Sequence, residues 1–149
     1  MTDKEPEPKK IKIEKFKITR SDAEVNELKL LEIINRNTDD VFIKTPSRYA
    51  THDFSNKTTK VELKSRSNKY ADYNTTMISS SKINKAIKDV KFKHLFYFMF
   101  SDGLYRISLE NLIKNSEEKI GGLFWAKTKY LYIDIESLEL VDKNISSLH

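Results

Sequence analysis

An almost unbroken run of apolar side chains in the second half of the chain constrains the fold most strongly. It reads HLFYFMF over residues 94–100. A half-buried strand alternates apolar and polar residues, whereas a strand covered on both faces reads as a short, continuous apolar run. The short length and the aromatic content of this run also favour a strand over a helix. We therefore predict a central β-strand that is buried on both faces.

Helical and strand patterns surround this run in an order that predicts the fold class. Ser21 and Glu24 form a capping box ahead of apolar residues at helical spacing up to about Asn35. A second helix is predicted after Ser79, with a loop over 67–78 before it. The predicted strands are 41–43 (short and buried), 49–54, 59–65, 94–100, 104–107 and 130–135 (the last), with a short helix from Ser108 to about Lys114. A helix between the third and fourth strands implies a crossover, hence an α/β fold with a mixed central sheet flanked by helices.

Length and composition restrict the class of protein. With 149 residues and no cysteine, the chain is expected to form one domain without a disulfide framework or a thiolate metal site. Residues 1–10 are charged and predict a disordered tail, leaving a domain over 11–149 with its core at about 21–107. No apolar run approaches the ~18 residues of a membrane span, and the N-terminus is unlike a secretory signal. We expect a soluble intracellular protein, in the cytoplasm or the nucleus.

Positive charge is concentrated in two central segments. The net charge is +5, and basic residues dominate 57–70 and 82–93. Such clustering predicts a positive face that binds the phosphates of a nucleic acid, although a solvated lysine-rich surface would give the same pattern. The candidate nucleic-acid contacts are Lys57, Lys60, Arg66, Lys69, Lys82 and Lys85. Tyr70 and Tyr73, between the two segments, either stack on bases or cover the core.

An acid–base cluster lies in and just before the third predicted strand. Glu-x-Lys begins at four positions, Glu7, Glu27, Glu62 and Glu117, but only Glu62-Leu63-Lys64 falls within a predicted strand. If the second and third predicted strands form a hairpin, Asp53 approaches Glu62, and the two carboxylates converge on one cation. Oxygen ligands suit Mg²⁺, and the backbone carbonyl of Leu63 adds a further oxygen. Lys64 then lies where it can stabilise a reacting phosphate. The alternative is an exposed cross-strand ion pair of little energetic weight.

Asp53 and, after an eight-residue spacer, Glu62-Leu63-Lys64 resemble the motif of the PD-(D/E)xK nuclease superfamily. That superfamily includes restriction endonucleases, Holliday-junction resolvases and repair nucleases. The resemblance extends to the predicted element order over 21–107, since the family core is αβββαβ, here with a C-terminal addition. It implies that Asp53 and Glu62 are metal ligands and that Lys64 is the catalytic lysine.

Further features of the family match the chain only partly. A proline often precedes the family's aspartate, and His52 stands there instead. Many members add a glutamate from the first helix, for which Glu27 is a better candidate than Glu24. Members also often place a polar residue at the start of the second helix, and Ser81 or Lys82 occupies that position.

The expected function is a Mg²⁺-dependent endonuclease, with Mn²⁺ able to substitute, that cuts DNA by structure or with weak sequence selectivity. Few side chains suited to strict base readout stand out. A chain this small meets both strands of a duplex only as a dimer, so a homodimer is expected. The alternatives are a non-catalytic nucleic-acid-binding or assembly module on the same fold, and an RNA endonuclease.

Overall fold

The structure, a computed structural model, describes residues 22–46, 52–121 and 128–148. In chain order, the helices are α1 (22–34), α2 (Ser80–Lys88) and α3 (Leu109–Lys114). The strands are β1 (Ile43–Lys44), β2 (Phe54–Ser55), β3 (Thr59–Ser65), β4 (Thr75–Ser79), β5 (Lys93–Phe100), β6 (Gly103–Ser108), β7 (Ser116–Gly121), β8 (Thr128–Asp134) and β9 (Glu139–Asp142). Across these three ranges, no helix combines the length and the apolar character needed to cross a membrane.

The predicted central strand, β5, lies inside a mixed sheet. In the described parts of the chain, this sheet has the strand order β1-β2-β3-β5-β6-β9. β3 runs parallel to β5, and the other neighbouring pairs are antiparallel. A parallel pair requires a crossover connection, which here contains β4 and α2. The α/β class with a mixed sheet is therefore confirmed.

Alternating side chains of β5 contribute to two hydrophobic cores. Phe96, Phe98 and Phe100 pack with apolar residues of α2, α3 and β8. Tyr97 and Met99 pack on the opposite face with residues of α1 and of the β2–β3 hairpin. Each of these five side chains is at most 3% exposed. The prediction of a central strand buried on both faces is confirmed, and each such side chain contributes roughly 1.5–3 kcal/mol by burial.

A second antiparallel sheet, in the order β4-β8-β7 within the described residues, packs against the first. Its Ile78 and Ile133 enter the core around Phe98. The predicted loop over 67–78 is therefore wrong in its second half, and the predicted last strand over 130–135 is followed by β9. The local sequence gave little sign of β4, because Ile78 is its one large buried side chain and its partner β8 lies far along the chain.

β1 is a short edge strand, unlike the buried strand predicted over 41–43. Val41 is 54% exposed and Ile43 is 63% exposed, and among the described residues β1 pairs with β2 alone. The prediction over 49–54 can be compared only from residue 52, and β2 begins at Phe54. The predicted tail over 1–10 lies outside the described residues.

The C-terminal segment ties α1, β3 and β5 together. The backbone N–H of Ser147 donates to the carbonyl of Phe100 at 2.9 Å, and its hydroxyl donates to the carbonyl of Arg66 at 2.7 Å. Lys29 of α1 donates to the carbonyl of Ser146 at 2.9 Å. These contacts hold α1 over the end of β3, where the candidate site lies.

Asn26 is the buried side chain that joins α1 to this segment. Its amide nitrogen donates to the hydroxyl of Ser65 (3.3 Å) and to the carbonyl of Leu148 (3.2 Å), and its oxygen accepts from the N–H of Leu148 (2.9 Å). We expect Asn26→Ala to lower the free energy of unfolding by about 1–3 kcal/mol, because these groups lose their partners. Urea denaturation measures the change. Asn84→Ala on the exposed face of α2 is the control, and an equal effect of both substitutions would contradict this role.

Candidate active site

A side-chain-stabilised turn shapes the hairpin that carries the predicted motif. The side-chain oxygen of Asn56 accepts from the backbone N–H groups of Thr58 (3.0 Å) and Thr59 (2.8 Å). Asparagine is favoured in turns because it makes such local bonds. The strand predicted over 59–65 is confirmed, and the turn before it covers residues 56–58.

The register of this hairpin brings the two predicted acids together. Phe54 pairs with Val61, and the N–H of Asp53 donates to the carbonyl of Val61 at 2.8 Å. The pairing ends at this point, so Asp53 lies at the open end of the hairpin. It is close enough to Glu62 for the charge of Glu62 to raise the pKa of Asp53.

Asp53 also occupies the edge of β3 beyond Val61. Its Oδ2 accepts a hydrogen bond from the N–H of Leu63 at 2.7 Å, where a neighbouring strand would otherwise bond. The N–H and C=O of one strand residue point to the same edge, so the carbonyl of Leu63 faces the Asp53 side of the strand. The Asp53 carboxylate and the Leu63 carbonyl therefore offer oxygen atoms, the usual ligands of hard cations, at one edge of β3.

The environment of Asp53 disfavours its negative charge. Burial, and after it the nearby charge of Glu62, raise the pKa of Asp53 from 3.8 to about 6. The hydrogen bond from Leu63 lowers this pKa, as does Lys82, while Glu27 of α1 raises it. A carboxylate held among other carboxylates in this way gains stability from a bound cation.

Glu62 is a buried carboxylate held by two ammonium groups. The residue is only 4% exposed. Its Oε2 lies 2.6 Å from Nζ of Lys82 and 3.2 Å from Nζ of Lys64, and Oε1 takes part in neither contact. A buried charge without a partner costs several kcal/mol. The two lysines therefore supply the cationic partners that a buried carboxylate needs.

The two lysines differ in origin and in electrostatic environment. Lys64 follows Glu62 on β3, and Lys82 comes from the first turn of α2. Burial lowers the pKa of Lys64, and although Glu62 opposes this effect, the charge of Lys82 adds to it. Burial also acts against Lys82, but its hydrogen bond to Glu62 prevails and raises the pKa of Lys82. Of the two candidates at the start of the second helix, Lys82 reaches the site and Ser81 is exposed.

A cavity of about 310 Å³ opens between α1 and this edge of β3. Asp22, Glu27, Asp53 and Leu63 are among its lining residues. Glu27 forms an ion pair with Lys44 of β1, so its charge is already partly neutralised. Within the ranges that the structure describes, no three His, Cys, Asp or Glu side chains group closely enough to hold a metal ion by themselves. A cation at this edge would therefore use two carboxylates together with backbone and water oxygens, as Mg²⁺ commonly does.

The six predicted nucleic-acid contacts fall into two groups. Three of them are exposed: Lys57, Lys69 and Lys85. The others make internal contacts: Lys60 pairs with Asp89 at 2.7 Å, Arg66 donates to the carbonyl of Met77 at 2.6 Å, and Lys82 reaches Glu62. The exposed group remains available for phosphates, whereas Lys60 and Arg66 also hold neighbouring elements together.

Sequence reasoning named Lys82 both as a phosphate contact and as a candidate at the start of the second helix, but it did not predict the contact with Glu62. It also did not associate Asp22 with the site. Asp22 lines the cavity with Asn26, four residues later on the same face of α1.

Comparisons with known proteins identify no relative. No protein family matches the chain, and neither a curated protein nor a solved structure matches it. Function is therefore inferred from the chemistry of Asp53, Glu62 and Lys64, and the resemblance to the nuclease superfamily stays a prediction.

The raised pKa of Asp53 predicts a pH-dependent stability difference. The folded state disfavours the Asp53 charge, so this contribution to stability is complete below pH 3.8 and falls as the pH rises through about 6. Asp53→Asn keeps an oxygen for the Leu63 N–H but carries no charge. We expect the free energy of unfolding of the variant to be about 1–3 kcal/mol higher than that of the wild type at neutral pH, with no such difference in acid. Urea unfolding at several pH values measures the difference. A difference that does not vary with pH would contradict the shift.

Proposed function

We propose that this protein is a metal-dependent endonuclease that hydrolyses phosphodiester bonds in DNA, by structure or with weak sequence selectivity. The proposal depends on one observation: the buried Glu62 has its Oε2 3.2 Å from Nζ of Lys64 and is close enough to Asp53 for its charge to raise the pKa of Asp53. Metal-dependent phosphodiester hydrolysis needs oxygen ligands for a cation and positive charge where negative charge develops. This hairpin edge brings both to one place.

The order of the elements supports a restriction-endonuclease-like core. α1 is followed by β1, β2, β3, α2 and β5, which is the αβββαβ order that the resemblance to the PD-(D/E)xK superfamily implies. We propose that β4 is an insertion into this core and that the residues after β6 form the C-terminal addition.

The donor atoms at the edge of β3 fit Mg²⁺, and Mn²⁺ would substitute for it. Asp53, Glu62 and the carbonyl of Leu63 would hold the ion, with Glu27 as a further ligand if it leaves Lys44. When bound, such an ion polarises the phosphate and lowers the pKa of a nucleophilic water. The fit is chemical, because hard oxygen ligands select hard cations. The pKa of Asp53 is raised first by burial and then by the charge of Glu62, and a bound cation would offset both effects.

Lys64 supplies the positive charge beside the reacting phosphate. Its contact with Oε2 of Glu62 orients the ammonium group. As a nucleophile attacks phosphorus, negative charge grows on the non-bridging oxygens, and a positioned ammonium stabilises it. Lys82, the closer partner of Glu62 at 2.6 Å, fixes the carboxylate so that Lys64 keeps donors free for the phosphate.

A non-catalytic nucleic-acid-binding or assembly module on the same fold is the second candidate. The observation that favours it is that Glu62 already has two cationic partners, so the cluster is complete as a structural ion pair. An RNA endonuclease would use the same groups as a DNA endonuclease. Cutting both strands of a duplex would require a second copy of the chain, so a homodimer accompanies the endonuclease proposal.

Lys64→Ala tests the proposal. We expect Mg²⁺-dependent cleavage of plasmid and branched DNA to fall by about 100-fold or more, because a charge that stabilises the transition state is lost. Affinity for DNA, measured with EDTA present, should fall far less than cleavage does, and circular dichroism checks that the variant is folded.

Lys114→Ala is the matched control. Lys114 is an exposed lysine in the last turn of α3 and lines neither the cavity beside Asp53 nor the neighbourhood of Lys64. The proposal would be wrong if the two variants cleaved equally well, or if the wild type bound DNA and cleaved none of these substrates.

A further inference from the structure

An open groove of about 650 Å³ lies between the end of β3 and the second sheet. Lys64 lines one end of it, so the groove begins at the candidate catalytic cluster. The other lining residues of interest are Arg66, Tyr73, Met77, Tyr130 and Tyr132. We infer that this groove binds an unpaired nucleic-acid strand, with its bases stacked on the tyrosines and its phosphates beside Lys64 and Arg66.

The charge of the groove complements a polyanion. Lys64 and Arg66 line it, and no aspartate or glutamate does so among the described residues. Arg66 uses part of its guanidinium to hold β4, donating to the carbonyl of Met77 at 2.6 Å. Its Nε also donates to the Thr76 hydroxyl at 3.4 Å, so the position of the guanidinium is fixed. The phosphodiester backbone of a nucleic-acid strand in the groove would contact Lys64 and then Arg66.

Two tyrosines of β8 form an ordered aromatic surface. Alternate strand residues share a face, so Tyr130 and Tyr132 lie on one side of the sheet. A Cβ atom on Gly121 would come within 2.9 Å of the Tyr132 hydroxyl and 3.1 Å of Tyr130 Cδ2. The rings thus lie against the bare backbone of β7, and Nζ of Lys119 is 5.4 Å from the Tyr132 ring centroid. Rings that are already ordered lose little entropy when a base stacks on them.

Tyr70 and Tyr73 resolve into the two roles that the sequence left open. Tyr70 stacks on Tyr105 with ring centroids 4.0 Å apart and donates its hydroxyl to the carbonyl of Ile135 at 3.0 Å, so it covers the core. Tyr73 is 65% exposed and lines the groove. The groove is therefore lined by the exposed ring of Tyr73 and by the half-buried rings of Tyr130 and Tyr132.

Exposed rings beside cations favour an unpaired strand over a duplex. Bases in a duplex are stacked on one another, whereas those of a single strand can stack on protein rings, which contributes about 1–3 kcal/mol per base. Because Lys64 belongs to both the groove and the proposed site, a strand in the groove would reach the catalytic cluster. This part rests on the proposed function, and it names the substrate as DNA or RNA with an unpaired segment.

Fluorescence anisotropy with EDTA present tests the groove without any cleavage. The probes are a short labelled DNA strand, the same strand in a duplex, and the equivalent RNA strand. We expect the unpaired strands to bind more tightly than the duplex. Tyr132→Ala should weaken single-strand binding by about fivefold or more, Tyr132→Phe should not because it keeps the ring, and duplex affinity should be unchanged. The tighter of the two single strands identifies the sugar that the groove accepts.

The proposed role of the groove would be overturned if Tyr132→Ala lost single-strand and duplex affinity equally. It would also be overturned if a variant with Tyr73, Tyr130 and Tyr132 all changed to Ala kept its full affinity for the single strand. The proposed function fails separately. If single-strand binding depends on the rings but no Lys64-dependent cleavage occurs, the nuclease proposal is wrong and the groove proposal stands. If Lys64-dependent cleavage occurs and does not depend on the rings, the nuclease proposal stands and the groove proposal is wrong.

Discussion

The buried Glu62 carboxylate is the interaction on which the rest of the site depends. It receives Lys64 from its own strand and Lys82 from α2, so it joins the main sheet to the helix that crosses over it. A buried ion pair adds little net stability, because the cost of desolvation offsets the attraction between the charges. Apolar residues could fill the same space without this desolvation cost. A functional role explains the cluster better than stability does, and it is the role that we propose.

The strict alternation of β3 distributes its side chains between two openings. Val61, Leu63 and Ser65 belong to the α1 side, where Leu63 and Ser65 line the smaller cavity. Lys64 and Arg66 line the groove on the other side. Asp53 lines the smaller cavity and accepts the Leu63 N–H, whereas Glu62 shares a face of β3 with Lys64. The proposed cation ligands therefore come from both sides of this strand.

Sequence patterns predicted the parts of the fold whose signals are local. The Asn56 turn, the alternation in β3, the apolar run of β5 and the Ser108 cap, whose hydroxyl accepts from Asn111, each depend on neighbouring residues. The second sheet could not be predicted in this way, because β4 pairs with a strand that follows two helices and three other strands. The contact of Lys82 with Glu62 depends on the same long-range packing. Asp53 and Glu62 were placed together because a hairpin turn sets their register directly.

A crystal grown with Mn²⁺ would measure the cation site directly, since anomalous scattering locates the ion independently of any activity. We expect one strong peak at the edge of β3. The oxygens of Asp53, Glu62 and the Leu63 carbonyl should lie about 2.1 Å from the ion, the distance typical of Mg²⁺–oxygen contacts. A peak held by other side chains, or no peak at this edge while Lys64 and Lys82 keep Glu62 fully paired, would contradict a metal-dependent site.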